Sequence, residues 1–370
     1  MKVIWTRGNE NISFREASIW YTLGIRGSGK STFLEHVGMN YSANGAVIFD
    51  LWGSKDAEGV AWLRSDFAKD KKILLVKSEN VDVQGSYETR NADALTLHDF
   101  ETYDLLLSVS PFYLNFDQEF YYTGKIMDLM YKRLAYKRLV FVICREAANL
   151  YFSRLKICDD QTLAKAQCAY LLRESRHMGL AMGLDSTKFT SIESDIRALM
   201  DYLVIKSQGM LGLSDDLKWL YSFFNSAIIR KMPQQYFCIV SKNGGLGLGE
   251  FPYHDWHKRI RENILEAVGL KVEPHGEAVK EAEDKGTFKT VGDKEHLEIV
   301  RLLIEENLGM VQIGEQMGRS SKTISDHLRF HNRAVELHHF CPRCKRANGI
   351  YADKKAERQY LDKKKPEIPI

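Results

Sequence analysis

The chain has 370 residues, of which 44% are hydrophobic, with six cysteines and a formal net charge of +3. That length accommodates one large domain and a small one. The scattered cysteines argue against a disulfide framework, no apolar run reaches the roughly 18 residues of a membrane helix, and Met1–Arg7 lacks a secretory apolar segment, so a cytoplasmic protein with no membrane segment of its own is expected. The near-neutral charge makes no case for nucleic acid over the whole chain, so any such case is local.

In chain order, residues 1–18 read as a short strand or two at the edge of a core. Ile19-Trp20-Tyr21-Thr22-Leu23 reads as a buried strand. Next comes Gly24-Ile25-Arg26-Gly27-Ser28-Gly29-Lys30-Ser31, which fills every fixed position of G-x-x-x-x-G-K-[ST]. Thr32-Phe33-Leu34-Glu35-His36-Val37 can open a helix. Strand, glycine turn and helix N-terminus together present backbone N–H groups to phosphate oxygens, and the helix dipole adds to the attraction. Gly24, Gly27, Ser28, Gly29, Lys30, Ser31 and Thr32 are therefore expected to bind a nucleoside triphosphate. Lys30 would reach the β- and γ-phosphates, and Ser31 would offer its hydroxyl to Mg²⁺.

Further short apolar runs lie at 46–50, ending in Asp50, which is also expected at the nucleotide, and at 73–76, 103–108, 138–143, 180–184 and 202–205. Helical patterns around 126–130 and 163–177 separate several of them, which argues for a mostly parallel α/β sheet. Leu217, Leu220, Tyr221, Phe224 and Ile228 are expected to form one core-facing helical stripe. Asn243–Gly249 is glycine-rich but lacks a lysine and a following helix, so it reads as a hairpin turn after 236–240.

Hydrolysis needs a group that activates water. Glu146, at the end of the strand 139–143, would face the same crevice as the phosphate loop and act as general base. The other reading is an ordinary acid at the start of the next helix.

The polar stretch from Lys271 to Lys294 reads as linker. Beyond it, Leu297, Val300, Leu303 and Ile304 are expected on one helix face. The stretches 311–318 and 322–329 form two short helices about a turn, with Ile313, Met317, Ile324 and Leu328 as core. The pattern resembles a helix-turn-helix that would expose Ser321, Lys322, Thr323, Ser325 and Arg329 to DNA; a protein-interaction domain is the alternative. In the tail, Cys341 and Cys344 form a C-x-x-C beside His338 and His339, a candidate Zn²⁺ site, against two free thiols. The lysines at 354, 355 and 363–365 make the end basic.

Four blocks in order resemble the HerA/FtsK superfamily of P-loop motors. They are 24–31; Val47–Asp50 with Gly53; Phe141–Leu150; and Arg173–Leu180 running into Asp185-Ser186-Thr187. The resemblance implies a RecA-like P-loop core, ATP and Mg²⁺ as cofactors, DNA as partner and a homo-oligomeric ring. It implies a polar sensor at Thr187 and arginine fingers at Arg176 and, less strongly, Arg173. The chain departs from the family at Arg145, where an acid is expected, and at Thr187, where a glutamine is usual. Arg145 would place positive charge beside the phosphate–metal site. The domains expected are a P-loop ATPase at 1–255, a linker at 256–292, a helix-turn-helix at 293–335 and a basic tail at 336–370. The function implied is an ATP-driven DNA motor; the alternative is an ATP-switched DNA-binding regulator with little turnover.

Overall fold

The computed structural model describes residues 1–52, 58–78, 81–109, 116–132, 138–153, 159–254, 256, 263–274, 293–338, 340–341, 343–347 and 350. Gly53, most of the expected linker (275–292), His339 and the terminal lysines lie outside the described residues, as does the side chain of His338. The chain forms two compact units, Met1–Val279 and Lys280–Ile370.

The strands of the first unit are β1 (Lys2–Arg7), β2 (Ile19–Leu23), β3 (Val47–Trp52), β4 (Ile73–Lys77), β5 (Val81–Gln84), β6 (Glu88–Asn91), β7 (Leu105–Ser108), β8 (Val140–Cys144), β9 (Leu180–Ser186), β10 (Tyr202–Ile205), β11 (Tyr236–Ser241), β12 (Leu246–Glu250) and β13 (Lys271–Pro274). Its helices are α1 (Lys30–Ala43), α2 (Asp99–Thr102), α3 (Phe116–Tyr131), α4 (Asp159–Met178), α5 (Ser194–Arg197), α6 (Ser226–Lys231) and α7 (Ile264–Ala267). The second unit holds α8 (Asp293–Ile304), α9 (Met310–Met317) and α10 (Ser321–His338).

An eleven-stranded sheet runs β1-β12-β11-β10-β2-β9-β8-β3-β7-β4-β6. From β10 to β6 every neighbouring pair is parallel. The strands β11, β12 and β1 extend one side antiparallel. All five residues of β2 and of β8 are buried, as a strand inside a parallel sheet requires. Helix α1 links β2 to β3, three positions along the sheet, and β9 and β8 fill the gap, with α4 as the crossover between them. This is a RecA-like P-loop α/β core, and parallelism brings the C-terminal ends of β2, β9, β8 and β10 to one edge.

Several details differ from the sequence reading. Residues 264–274, expected within the linker, form α7 and β13, and β13 pairs with β5 in a second small sheet. The expected stripe 217–228 is not one helix: a 3₁₀ turn over Asp215–Ser222 buries Leu217 and Leu220, Phe224 is also buried, and Ile228 on α6 is exposed. The turn over 242–245 joins β11 to β12 as a hairpin.

In the second unit the buried face of α8 is His296, Ile299, Leu302 and Leu303, whereas Leu297 and Ile304 are exposed. A helix with apolar residues on two adjacent stripes fits either face by periodicity alone, and contact with α9 and α10 selects this one. Ile313, Ile324 and Leu328 complete the core, with Met317 partly buried against it. Ile350 joins it too, held by a pair of hydrogen bonds between its backbone and the Asn332 amide.

Candidate phosphate-binding and catalytic site

The loop from Gly24 to Gly29 leaves β2 between two neighbours and is tied to both. The Gly24 N–H donates to Ser186 O at the end of β9, and the Ile25 N–H donates to Ser207 O beyond β10. Gly27 and Gly29 have φ of +75° and +84°, the left-handed region that a side chain disfavours. Gly29 caps α1, and with no acid in the first turn the helix N-terminus keeps its positive end for an anion. The N–H groups of that turn are the ones a helix cannot satisfy internally. Lys30 is buried and its ammonium donates to Ile25 O at 3.4 Å, which curls it over the loop. Thr32 is buried and Ser31 half-buried beside it. Gln234 fastens the loop from outside by donating to Gly27 O at 2.8 Å.

Glu146 lies two residues past the end of β8 and has φ +47°, a left-handed residue that is not glycine. Such conformations persist where surrounding structure holds them and are frequent at working sites. Here the Glu146 N–H donates to the Asp185 carboxylate, while the Glu146 side chain is exposed. Asp185 lies on β9, between the loop strand and β8, and is 1% exposed. Burial pushes its carboxyl up to about 7, against the pull of Lys30, with the Glu146 charge adding to the rise. The sequence reading passed over Asp185 in favour of Thr187, which is exposed past the strand end. The available signal was an acid at the end of an otherwise apolar strand.

Lys206, at the end of β10, is a second group the sequence did not single out. Its ammonium donates to Gln234 O and Tyr236 O and lies 4.5 Å from the Phe251 ring centroid. Burial lowers its pKa to about 7.

Arg145 does not point charge at the phosphate loop. It is buried and donates to both Asp50 oxygens and to Glu35 on α1, with Glu58 at 3.5 Å. Desolvation opposes its charge, but the Asp50 and Glu35 carboxylates more than offset it and hold its pKa well above the usual arginine value. Asp50, expected at the nucleotide, is committed to this cluster and also accepts from Trp62 Nε1 at 2.8 Å. The other Glu35 oxygen accepts from Trp256 Nε1 and contacts His254 Nε2, both at 2.9 Å. The expectation of added positive charge at the metal site is corrected: three carboxylates neutralise that charge.

Arg176 sits at the end of α4, where β9 begins, and pairs with Asp201 at 2.6 Å just ahead of β10. That is the edge of the sheet opposite the phosphate loop. Arg173 is exposed, with Asp195 at 3.9 Å.

In the second unit Ser321, Lys322 and Arg329 are exposed and Thr323 and Ser325 half-buried along the first half of α10. Ser320 caps that helix by accepting from the Thr323 N–H at 3.1 Å. Cys341 and Cys344 lie beside His296 and His331, which come from α8 and α10. Among the described residues no helix is long and apolar enough to cross a membrane.

No family model matches the chain, and no curated protein matches it. Solved structures do. The genome packaging NTPase B204 from Sulfolobus turreted icosahedral virus 2, in complex with AMP, is 15% identical over 64% of this chain and 98% of its own, with a TM-score of 0.41. The pCW3 conjugation coupling protein TcpA with ATPγS is 14% identical over 69% of this chain and 66% of its own, with a TM-score of 0.40. ATPases 2 and 3 of Thermomonospora curvata EccC are 12% identical over 66% of this chain and 38% of theirs, with a TM-score of 0.36. At such identities and TM-scores the likenesses add nothing to what the site's own geometry supports.

Proposed function

We propose that this chain is a P-loop ATPase of the HerA/FtsK type that hydrolyses ATP to move, package or transfer DNA. The observation that carries the ATPase reading is the convergence of a complete phosphate loop, Glu146 and Asp185 on the C-terminal edge of three adjacent parallel strands. Backbone N–H groups of the loop and Lys30 hold the β- and γ-phosphates. Ser31 would present its hydroxyl for Mg²⁺, with the Asp185 carboxyl, whose charge interacts with that of Lys30, as the buried acid of the site. Bound with the nucleotide, that ion would neutralise charge on the phosphate oxygens.

Glu146, exposed on its left-handed turn, takes the proton of the attacking water. Asp185 holds the Glu146 backbone in place and supplies the buried acid that Arg145 does not. Arg176 cannot serve the loop of its own subunit from the opposite edge. In a homo-oligomeric ring it would address the nucleotide of a neighbour, with Asp201 orienting it. Lys322, Thr323, Ser325 and Arg329, with Ser321, form the surface that would engage DNA. The alternative, an ATP-switched DNA-binding regulator with little turnover, rested on Arg145 standing in place of an acid; the carboxylates that balance that arginine, with the acid Asp185 on β9, favour the motor.

The test is ATP turnover by the purified protein with and without double-stranded DNA, beside Lys30→Ala and Glu146→Gln. DNA is expected to raise turnover, and both substitutions to abolish it, with Glu146→Gln still retaining ATP. Binding without hydrolysis under every DNA condition would overturn the motor.

A further inference from the structure

The second unit holds a cluster that plays no part in ATP chemistry. Each of His296, His331, Cys341 and Cys344 offers one ligand atom, and the four atoms lie within 4.8 Å of one another. Cys341 Sγ is 3.6 Å from His296 Nε2, and Cys344 Sγ is 3.7 Å from His331 Nδ1. A tetrahedron with metal–sulfur bonds of about 2.3 Å and metal–nitrogen bonds of about 2.0 Å has a sulfur–nitrogen edge of about 3.5 Å. The two edges, at 3.6 and 3.7 Å, lie close to that value. Three of the four side chains are buried and Cys344 is half-buried.

The donor set holds no carboxylate, which disfavours Mg²⁺ and Ca²⁺ and suits a borderline-soft ion. Two thiolates and a divalent cation sum to zero charge, the state that burial tolerates. The neighbouring ring fits as well. His296 Nδ1 lies 2.6 Å from His327 Nε2, and with that Nδ1–H donating, the lone pair on His296 Nε2 is left facing Cys341. His338 and His339, which the sequence placed beside the C-x-x-C, are not needed to complete the set.

We propose that His296, His331, Cys341 and Cys344 bind one structural Zn²⁺, releasing the two thiol protons. The ion would join α8, α10 and the C-x-x-C turn around a small core, in which seven aliphatic side chains are buried among the described residues. A core that small benefits from a metal staple. His331 lies near the middle of the helix that also carries Lys322 and Arg329, so the ion would anchor the helix proposed to meet DNA. The inference rests on the second unit alone and stands or falls apart from the ATPase reading.

The test uses the full chain, expressed with zinc present and dialysed against metal-free buffer, with metal content measured by mass spectrometry. One zinc per chain is expected. After exchange, Co²⁺ should give the intense visible bands of a tetrahedral thiolate site. Cys341→Ser and His331→Ala should lower retained zinc at least tenfold. To separate loss of ligand from loss of fold, Cys344→His serves as the second variant: it should keep one metal per chain while the cobalt bands shift as one thiolate is lost. ATP retention by the same preparations reports separately on the phosphate loop. A wild-type chain that retains no zinc and gives no tetrahedral cobalt spectrum overturns the proposal. So does stoichiometric metal with unchanged cobalt bands in all three variants.

Discussion

Asp185 is held almost wholly out of water with its carboxyl raised to about 7, so its proton is part of the fold's energetics. The unfolded chain loses that proton near the ordinary aspartate value of about 4. Between about pH 4 and pH 7 the folded state therefore binds more protons than the unfolded one. Stability contributed by the neutral acid is complete below that window and falls as pH rises through it, by up to about 1.4 kcal/mol per unit. Asp185→Asn keeps an acceptor for the Glu146 N–H and removes the titration. Melting curves of the nucleotide-free protein should show the wild type losing stability across that window relative to the variant; parallel pH profiles would contradict it. Arg145 is the opposite case, a buried charge that needs its partners. Replacing it by an acid, as Arg145→Asp, places a fourth carboxylate among Asp50, Glu35 and Glu58. Destabilisation of at least about 3–5 kcal/mol is expected, read by urea unfolding, because removing one side of a buried pair leaves the other uncompensated.

Elements differ in how much of their position is written locally. The phosphate loop is a contiguous run whose glycines and flanking strand and helix share one short stretch, so its sequence suffices to place it. The hairpin over 242–245 is equally local. The face of α8 was not, since its apolar residues fit two registers and only packing against α9 and α10 chooses Ile299 and Leu302. The turn between α9 and α10 shows how tightly that packing is set. A Cβ built on Gly314 would stand 2.6 Å from Arg319 O and 3.2 Å from Ser321 N, both backbone atoms that cannot swing aside. Gly314→Ala should therefore cost about 1–3 kcal/mol in the second unit by displacing the turn. Gly309→Ala, with only the far end of Gln312 nearby at 3.6 Å, is the matched control. Differential melting of the two variants, followed by a probe confined to 293–350, decides the point.

Across the whole molecule, what the sequence concealed is what long-range pairing creates. Arg145 meets Asp50 and Glu35 from 95 and 110 residues away, and no periodicity announces such a meeting. Asp185 gains its meaning from the insertion of β9 between β2 and β8, a fact of strand order. His296 and His331 lie 45 and 13 residues before the cysteines they face, outside the spacing that a short motif covers.

The strand order also fixes when the nucleotide site can exist. The two neighbours of β2 are β9 and β10, and the latter ends at Ile205. A chain leaving the ribosome carries its whole phosphate motif by residue 31, yet the carbonyls that anchor the motif belong to Ser186 and Ser207. At about 5–20 residues per second, on the order of ten seconds or more of synthesis separate the motif from its anchors. For that interval the newborn protein carries the phosphate sequence without the phosphate site.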